Sequence, residues 1–169
     1  MAGDTCAAGA LEESDRAVEA DKIWAERPAL PNAEAKLQPL EHAGRSYAQK
    51  RDVVLEVMAK QKADALVLAA GDSINWLLNI RGGDVEFNPL VLGYFVLAAD
   101  GSGTLITYSR EWSAEVRTAF AAERIAVADI AELFAGKAQL SKGQRVMMDP
   151  ALVPQGWFDI TTKLGCDVV

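Results

Sequence analysis

Histidine is all but missing from this chain: His42 is the only one in 169 residues. A site built from several histidines therefore cannot form within one copy of the protein. Cysteine is scarce as well. Cys6 and Cys166 lie far apart in sequence, so they give neither a Cys-x-x-Cys metal site nor a disulfide framework. Basic residues are outnumbered, 17 against 24 acidic ones, for a net charge of −7. Phosphate binding needs clustered Lys and Arg, which removes nucleic acid as the main partner. The longest apolar run, Leu90 to Ala99, is about half of a membrane-spanning helix, so no membrane partner is expected. The opening Met1-Ala2-Gly3-Asp4 has no basic region followed by an apolar one, as a secretory signal would. The expected setting is soluble, reducing and cytoplasmic.

What is present is the composition of a folded domain. Half of the residues are hydrophobic, 24% are charged, and mean hydropathy is +0.05. The length is that of about one domain. Residues 1–45 differ from the rest: acids outnumber bases, and Pro28, Pro31 and Pro39 make up half of the prolines. They read as an arm or linker, partly extended, with Trp24 as the apolar residue that would pin it to a domain surface. The domain proper is expected over residues 46–169.

Ser46 and Gln49 have capping-box spacing and predict a helix to about Lys62, with Val53, Val54, Val57 and Met58 as its apolar face. Ala65 to Ala70 reads as a strand buried on both faces. Asp72 or Ser73 would cap a short helix, broken at Arg81-Gly82-Gly83-Asp84. Leu90 to Ala99 is a strand, Asp100-Gly101-Ser102-Gly103 a hairpin turn, and Thr104 to Tyr108 the returning strand. A helix near Glu111 to Glu123, a strand at Ile125 to Ala128 and a helix capped by Asp129 and Glu132 follow. A strand at Arg145 to Met148, a helix closed by Gly165 and a strand beginning at Cys166 complete the order. Trp112, Phe120, Phe134 and Trp157 fall at helical spacing and are expected in the core, as is Trp76. The alternation with one hairpin implies an α/β domain, a mixed sheet with helices on both faces.

The stretch from Asp72 to Pro89 is richest in possible chemistry. It surrounds a glycine-broken loop with charge, the kind of loop that aims side chains into a cleft. Arg81 could grip a carboxylate with two hydrogen bonds, or pair with Asp84 or Glu86 to hold the loop. Gly82-Gly83 lacks dinucleotide-binding and Walker spacing, so a turn requirement is the simpler reading. Ser46 and Ser73 sit in no nucleophile elbow, which argues against a Ser-His-Asp triad. Asp64, Asp72, Asp84 and Asp149 border strands, as in a two-metal nuclease. Each is more simply read as a cap or turn residue.

Three stretches resemble the aminopeptidase P (Xaa-Pro aminopeptidase) family, in its middle, creatinase N-terminal-type domain. They are Ile23-Trp24-Ala25-Glu26-Arg27-Pro28-Ala29-Leu30-Pro31, then Ala43-Gly44-Arg45-Ser46 with Lys50-Arg51, and above all Asp72 to Val85 with Asn88-Pro89. The resemblance implies a three-layer creatinase/prolidase N-terminal fold with about six strands. It also implies a parent enzyme that removes the N-terminal residue from short peptides with proline second. The parent's pita-bread catalytic domain, carrying two divalent metal ions, usually manganese, would lie outside this chain, as would the first domain. No cofactor or catalytic residue is then expected here. The implied partners are those two missing domains and a second subunit of a homodimer. The implied role is to shape access to the active site and support packing. Arg81, Asp84 and Glu86 are the candidates for facing the substrate entrance. Trp24, Trp76 and Phe87 are the candidates for packing against a neighbouring domain. Phe87 stands where family members commonly carry a polar residue or histidine. A stand-alone binding module with the same fold is the alternative reading.

Overall fold

The structure, a computed structural model, describes residues 24, 26, 28–134 and 139–169. The chain divides into two units, Met1–Leu30 and Pro31–Val169, and every strand and helix described lies in the second. The elements of that unit are β1 (Lys36–Leu37), α1 (Leu40–Ala43), α2 (Tyr47–Gln61), β2 (Ala65–Leu68), α3 (Gly71–Leu78) and β3 (Ile80–Arg81). They continue with β4 (Gly93–Ala98), β5 (Gly103–Thr107), α4 (Ala114–Ala122), β6 (Ile125–Asp129), α5 (Ile130–Phe134), β7 (Arg145–Met148), α6 (Gln155–Leu164) and β8 (Asp167–Val168).

Six strands form one mixed sheet in the order β6-β5-β4-β2-β7-β8. β4 runs antiparallel to both its neighbours, and the remaining pairs are parallel. Successive residues of the central strands serve opposite faces, the period-2 alternation of a sheet covered on both sides. Phe95, Leu97 and Leu105 join Met58, Ile74, Leu77, Val116 and Phe120 in one cluster, under α2, α3 and α4. Val67, Val96, Ile106 and Val146 join Leu133 and Trp157 in the other, under α5 and α6. The expected three-layer α/β architecture is therefore present.

Ser46 caps α2 as its spacing predicts: its hydroxyl accepts from the Gln49 N–H, and the Gln49 side chain accepts from the Ser46 N–H. The buried face of α2 is the expected one only in part: Met58 and Val54 lie on it, Val53 and Val57 do not. Tyr47, Lys50 and Met58 are buried with Val54 and Leu55 partly so, whereas Val53 and Val57 are exposed. Val53, Val54 and Leu55, then Val57 and Met58 after Glu56, put apolar residues on more than one side of the helix, and the partner surface selected the side.

Helix α3 also departs from expectation. Its N-cap is Ala70, and Asp72 sits in the first turn, where its carboxylate accepts from the Ser73 N–H at 2.7 Å. It ends at Asn79, in the left-handed conformation with φ 53°, before the glycine pair is reached. Two short strands had no counterpart in the expected order. β1 and β3 pair antiparallel, Lys36 opposite Arg81 and Leu37 opposite Ile80. Residues 31–45, read from composition as part of an arm, thus contribute a strand and a helical turn to the second unit.

Candidate functional site

The stretch from α3 to Pro89 owes its shape to side chains that bond across it. Asn75 is 1% exposed. Its amide nitrogen donates to the carbonyls of Gly71 (2.7 Å) and Val91 (2.8 Å), and its oxygen accepts from the Val91 N–H (3.0 Å). One side chain thereby staples the helix to the far end of the loop. Asn79 caps the helix with its backbone and donates from its side chain to the Arg45 carbonyl at 2.8 Å.

Lys50 is buried, and among the described residues no carboxylate is its hydrogen-bond partner. Its ammonium donates to the Trp76 carbonyl (2.6 Å) and to Asn79 Oδ1 (2.5 Å), and lies 4.4 Å from the centre of the Trp76 ring. The carbonyl end of a helix carries partial negative charge, so a cation is well placed there. Burial nonetheless lowers its pKa, and the Arg81 guanidinium adds to the effect. Trp76, expected in the core, is instead 54% exposed beside this ammonium.

The loop beyond β3 is a narrow hairpin. The Gly82 N–H donates to the Pro89 carbonyl (3.2 Å), and the Asp84 N–H to that of Leu90 (3.0 Å). At its tip, the Asn88 N–H donates to the Val85 carbonyl at 3.2 Å. Gly82 and Gly83 do not meet a turn requirement, because neither has a left-handed φ. Gly82 is needed for close approach: a Cβ there would lie 2.6 Å from Val91 Cγ2 and 3.0 Å from the Leu90 carbonyl oxygen.

Asp84 pairs with Arg110, not with Arg81. Arg110 Nη1 donates to one carboxylate oxygen (3.0 Å) and Nη2 to the other (2.6 Å), and both side chains are fully buried. The second oxygen also accepts from the Leu92 N–H at 2.8 Å. Arg110 donates further to the Ala33 carbonyl (3.0 Å) and to Thr107 Oγ1 (3.2 Å). One guanidinium therefore ties the loop to the incoming segment and to the end of β5. Spacing offered no sign of this, since the partners lie 26 and 77 residues away along the chain.

Of the other residues singled out, Arg81 is half-buried on β3 and donates to the Ile80 carbonyl at 2.8 Å. Glu86 and Phe87 are exposed at the hairpin tip. Trp24 belongs to the first unit and is exposed. Two other strand-border aspartates bond backbone N–H groups: Asp64 accepts from that of Arg145, 81 residues on, and Asp149 from that of Ala151. No group of three or more His, Cys, Asp or Glu side chains suited to a metal ion occurs among the described residues. The described residues alone do not supply the donor set of a metal pair.

A family profile described as the Creatinase/Prolidase N-terminal domain matches residues 26–165. The Xaa-Pro aminopeptidase ApepP of Drosophila melanogaster is 40% identical over 81 residues, 47% of this chain and 13% of that protein. A probable Xaa-Pro aminopeptidase P of Ajellomyces dermatitidis is 29% identical over 146 residues, 85% of this chain and 23% of that protein. The crystal structure of X-prolyl aminopeptidase from Caenorhabditis elegans, described as a cytosolic enzyme with a di-nuclear active site, matches with a TM-score of 0.72. That match has 22% identity and covers 88% of this chain and 25% of that one, a likeness of fold. The chain thus spans a quarter or less of the length of these relatives. By the extent of the profile match and by its mixed six-stranded sheet, the chain belongs to the creatinase/prolidase N-terminal domain family.

Proposed function

We propose that this chain is the middle, non-catalytic domain of a proline-specific metallo-aminopeptidase, shaping access to the active site and supporting domain packing. The observation that carries the reading is the match to Xaa-Pro aminopeptidases over only a small part of their length, in a chain whose described residues offer no metal-holding group. Two divalent metal ions, manganese in the first instance, would belong to a catalytic domain outside this chain. The parent's substrates would be short peptides with proline second. The parent would be a cytoplasmic homodimer. Residues 1–45 would then include the link to a preceding domain, and residues 46–169 the bulk of the middle domain.

Within this reading Arg81 and Glu86 face the substrate entrance, and Asp84 contributes by fixing the loop that carries them. Arg81 is only half-buried and Glu86 is exposed, so both can present charge to a peptide's termini. Trp24, Trp76 and Phe87 are the residues that meet neighbouring domains. The test is Arg81→Ala in the full-length enzyme. A raised KM with kcat unchanged is the expected result. Unchanged kinetics with lowered stability would leave Arg81 a role in the fold alone.

A further inference from the structure

Phe87 is 98% exposed and has a φ of 61°. It occupies the third position of a turn closed by the Asn88-to-Val85 hydrogen bond. With a left-handed residue at that position alone, the turn is type II-like, and glycine or asparagine is favoured there. A bulky L side chain is strained in this conformation. The ring makes almost no contact with its own domain, so nothing in that domain offsets the strain or the exposed apolar area. The loop beneath is firm all the same. The Gly82 and Asp84 backbone bonds close it, Asn75 fixes Val91, and the buried Asp84–Arg110 pair anchors its base. A strained residue on an over-determined scaffold points to function.

We propose that the Val85–Asn88 turn is a docking knob, with Phe87 filling an apolar recess in another domain of the same polypeptide. The inference deepens the reading above and rests on it, both for this chain being one domain of a longer protein and for Phe87 meeting a neighbouring domain. The size of the contact selects the occupant. One phenyl ring buries roughly 150–250 Å², whereas a stable complex of separate molecules needs roughly 800 Å² on each side. A second copy of this chain could not be held by the knob alone. Within one polypeptide the effective concentration is of millimolar order, and a small preorganised contact suffices. The relatives supply the required length, since this chain spans 25% of the Caenorhabditis elegans chain.

The test compares amide hydrogen exchange over residues 85–90 in the 169-residue chain and in the longest natural polypeptide that carries it. Protection is expected to be at least about tenfold greater in the longer form, and Phe87→Asn should abolish the difference. In the 169-residue chain the same substitution relieves the left-handed strain, so its melting temperature should hold or rise by about 1–3 °C. Equal exchange in both forms would overturn the proposal, as would a natural product that ends at Val169. Self-association of the 169-residue chain that Phe87→Asn abolishes would make a second copy the occupant and overturn it too. Xaa-Pro peptidase activity of the longer form is scored separately. Its absence beside intact protection would defeat the proposed function and leave the knob standing.

Discussion

Arg110 holds Asp84 by both carboxylate oxygens, at 3.0 and 2.6 Å, with neither side chain exposed. The same guanidinium donates to the Ala33 carbonyl, so segment 31–37, the hairpin loop and the end of β5 meet at one cation. Breaking a buried pair by removing one partner leaves an uncompensated charge, which costs about 3–5 kcal/mol. Arg110→Met should therefore lower the urea-unfolding free energy by about that much. The double variant with Asp84→Asn should recover part of the loss, because the remaining partner is then neutral. A loss in the double variant equal to the sum of the singles would show that the two residues are not coupled.

Gly82 and Gly83 are adjacent but not equivalent. A Cβ on Gly82 would press on Val91 and the Leu90 backbone, whereas one on Gly83 would meet only the Ala33 Cβ, at 3.3 Å. Gly82→Ala should cost about 1–3 kcal/mol. Gly83→Ala should cost less than about 1 kcal/mol, since only a side-chain methyl must give. Chemical denaturation of the two variants side by side checks the ranking.

The order of the main elements was legible because each rests on local chemistry: the Ser46/Gln49 box, the Asp100–Gly103 turn, Gly165 at a helix end. The fold class followed from that order. The site was less legible. β1 and β3 have two residues each, too short for any period to show. Val53 and Val57 read as core because an apolar run does not reveal which of its faces meets the sheet. The importance of Arg110 arises wholly from partners distant in sequence. The Asp72 to Pro89 stretch that carries the family resemblance proved to be largely internal carpentry. Asn75 staples it, Asn79 caps it, Gly82 allows close packing and Asp84 anchors it.

Tyr47 has a buried hydroxyl with no hydrogen-bond partner among the described residues. An unsatisfied buried polar group is destabilising, so its removal is not costly here. Tyr47→Phe should leave stability unchanged or raise it by up to about 1 kcal/mol. Thermal melting at neutral pH checks this, and a clear loss of stability would reveal a partner for the hydroxyl.

Alkaline stability should show two opposed effects. Burial lowers the Lys50 pKa below 10.5, so between its folded value and 10.5 the unfolded chain binds more protons and stability rises with pH. Burial raises the Tyr47 pKa from 10.0 to about 12. Its contribution is complete below pH 10.0 and is lost as pH climbs from there toward about 12, because the unfolded chain releases the proton first. Lys50→Met should remove the rise and Tyr47→Phe the fall. Urea midpoints measured from pH 8 to 12 on the three proteins separate the two contributions.

As the proposed non-catalytic domain of a proline-specific metallo-aminopeptidase, this chain should need the rest of its polypeptide for any peptide cleavage. The most direct measurement is the release of the N-terminal residue from an Xaa-Pro peptide with manganese supplied, by the purified 169-residue chain and by its full-length natural polypeptide. Release by the longer protein and none by this chain is the expected result. Manganese-dependent release by the 169-residue chain, or an inactive full-length protein, would contradict it.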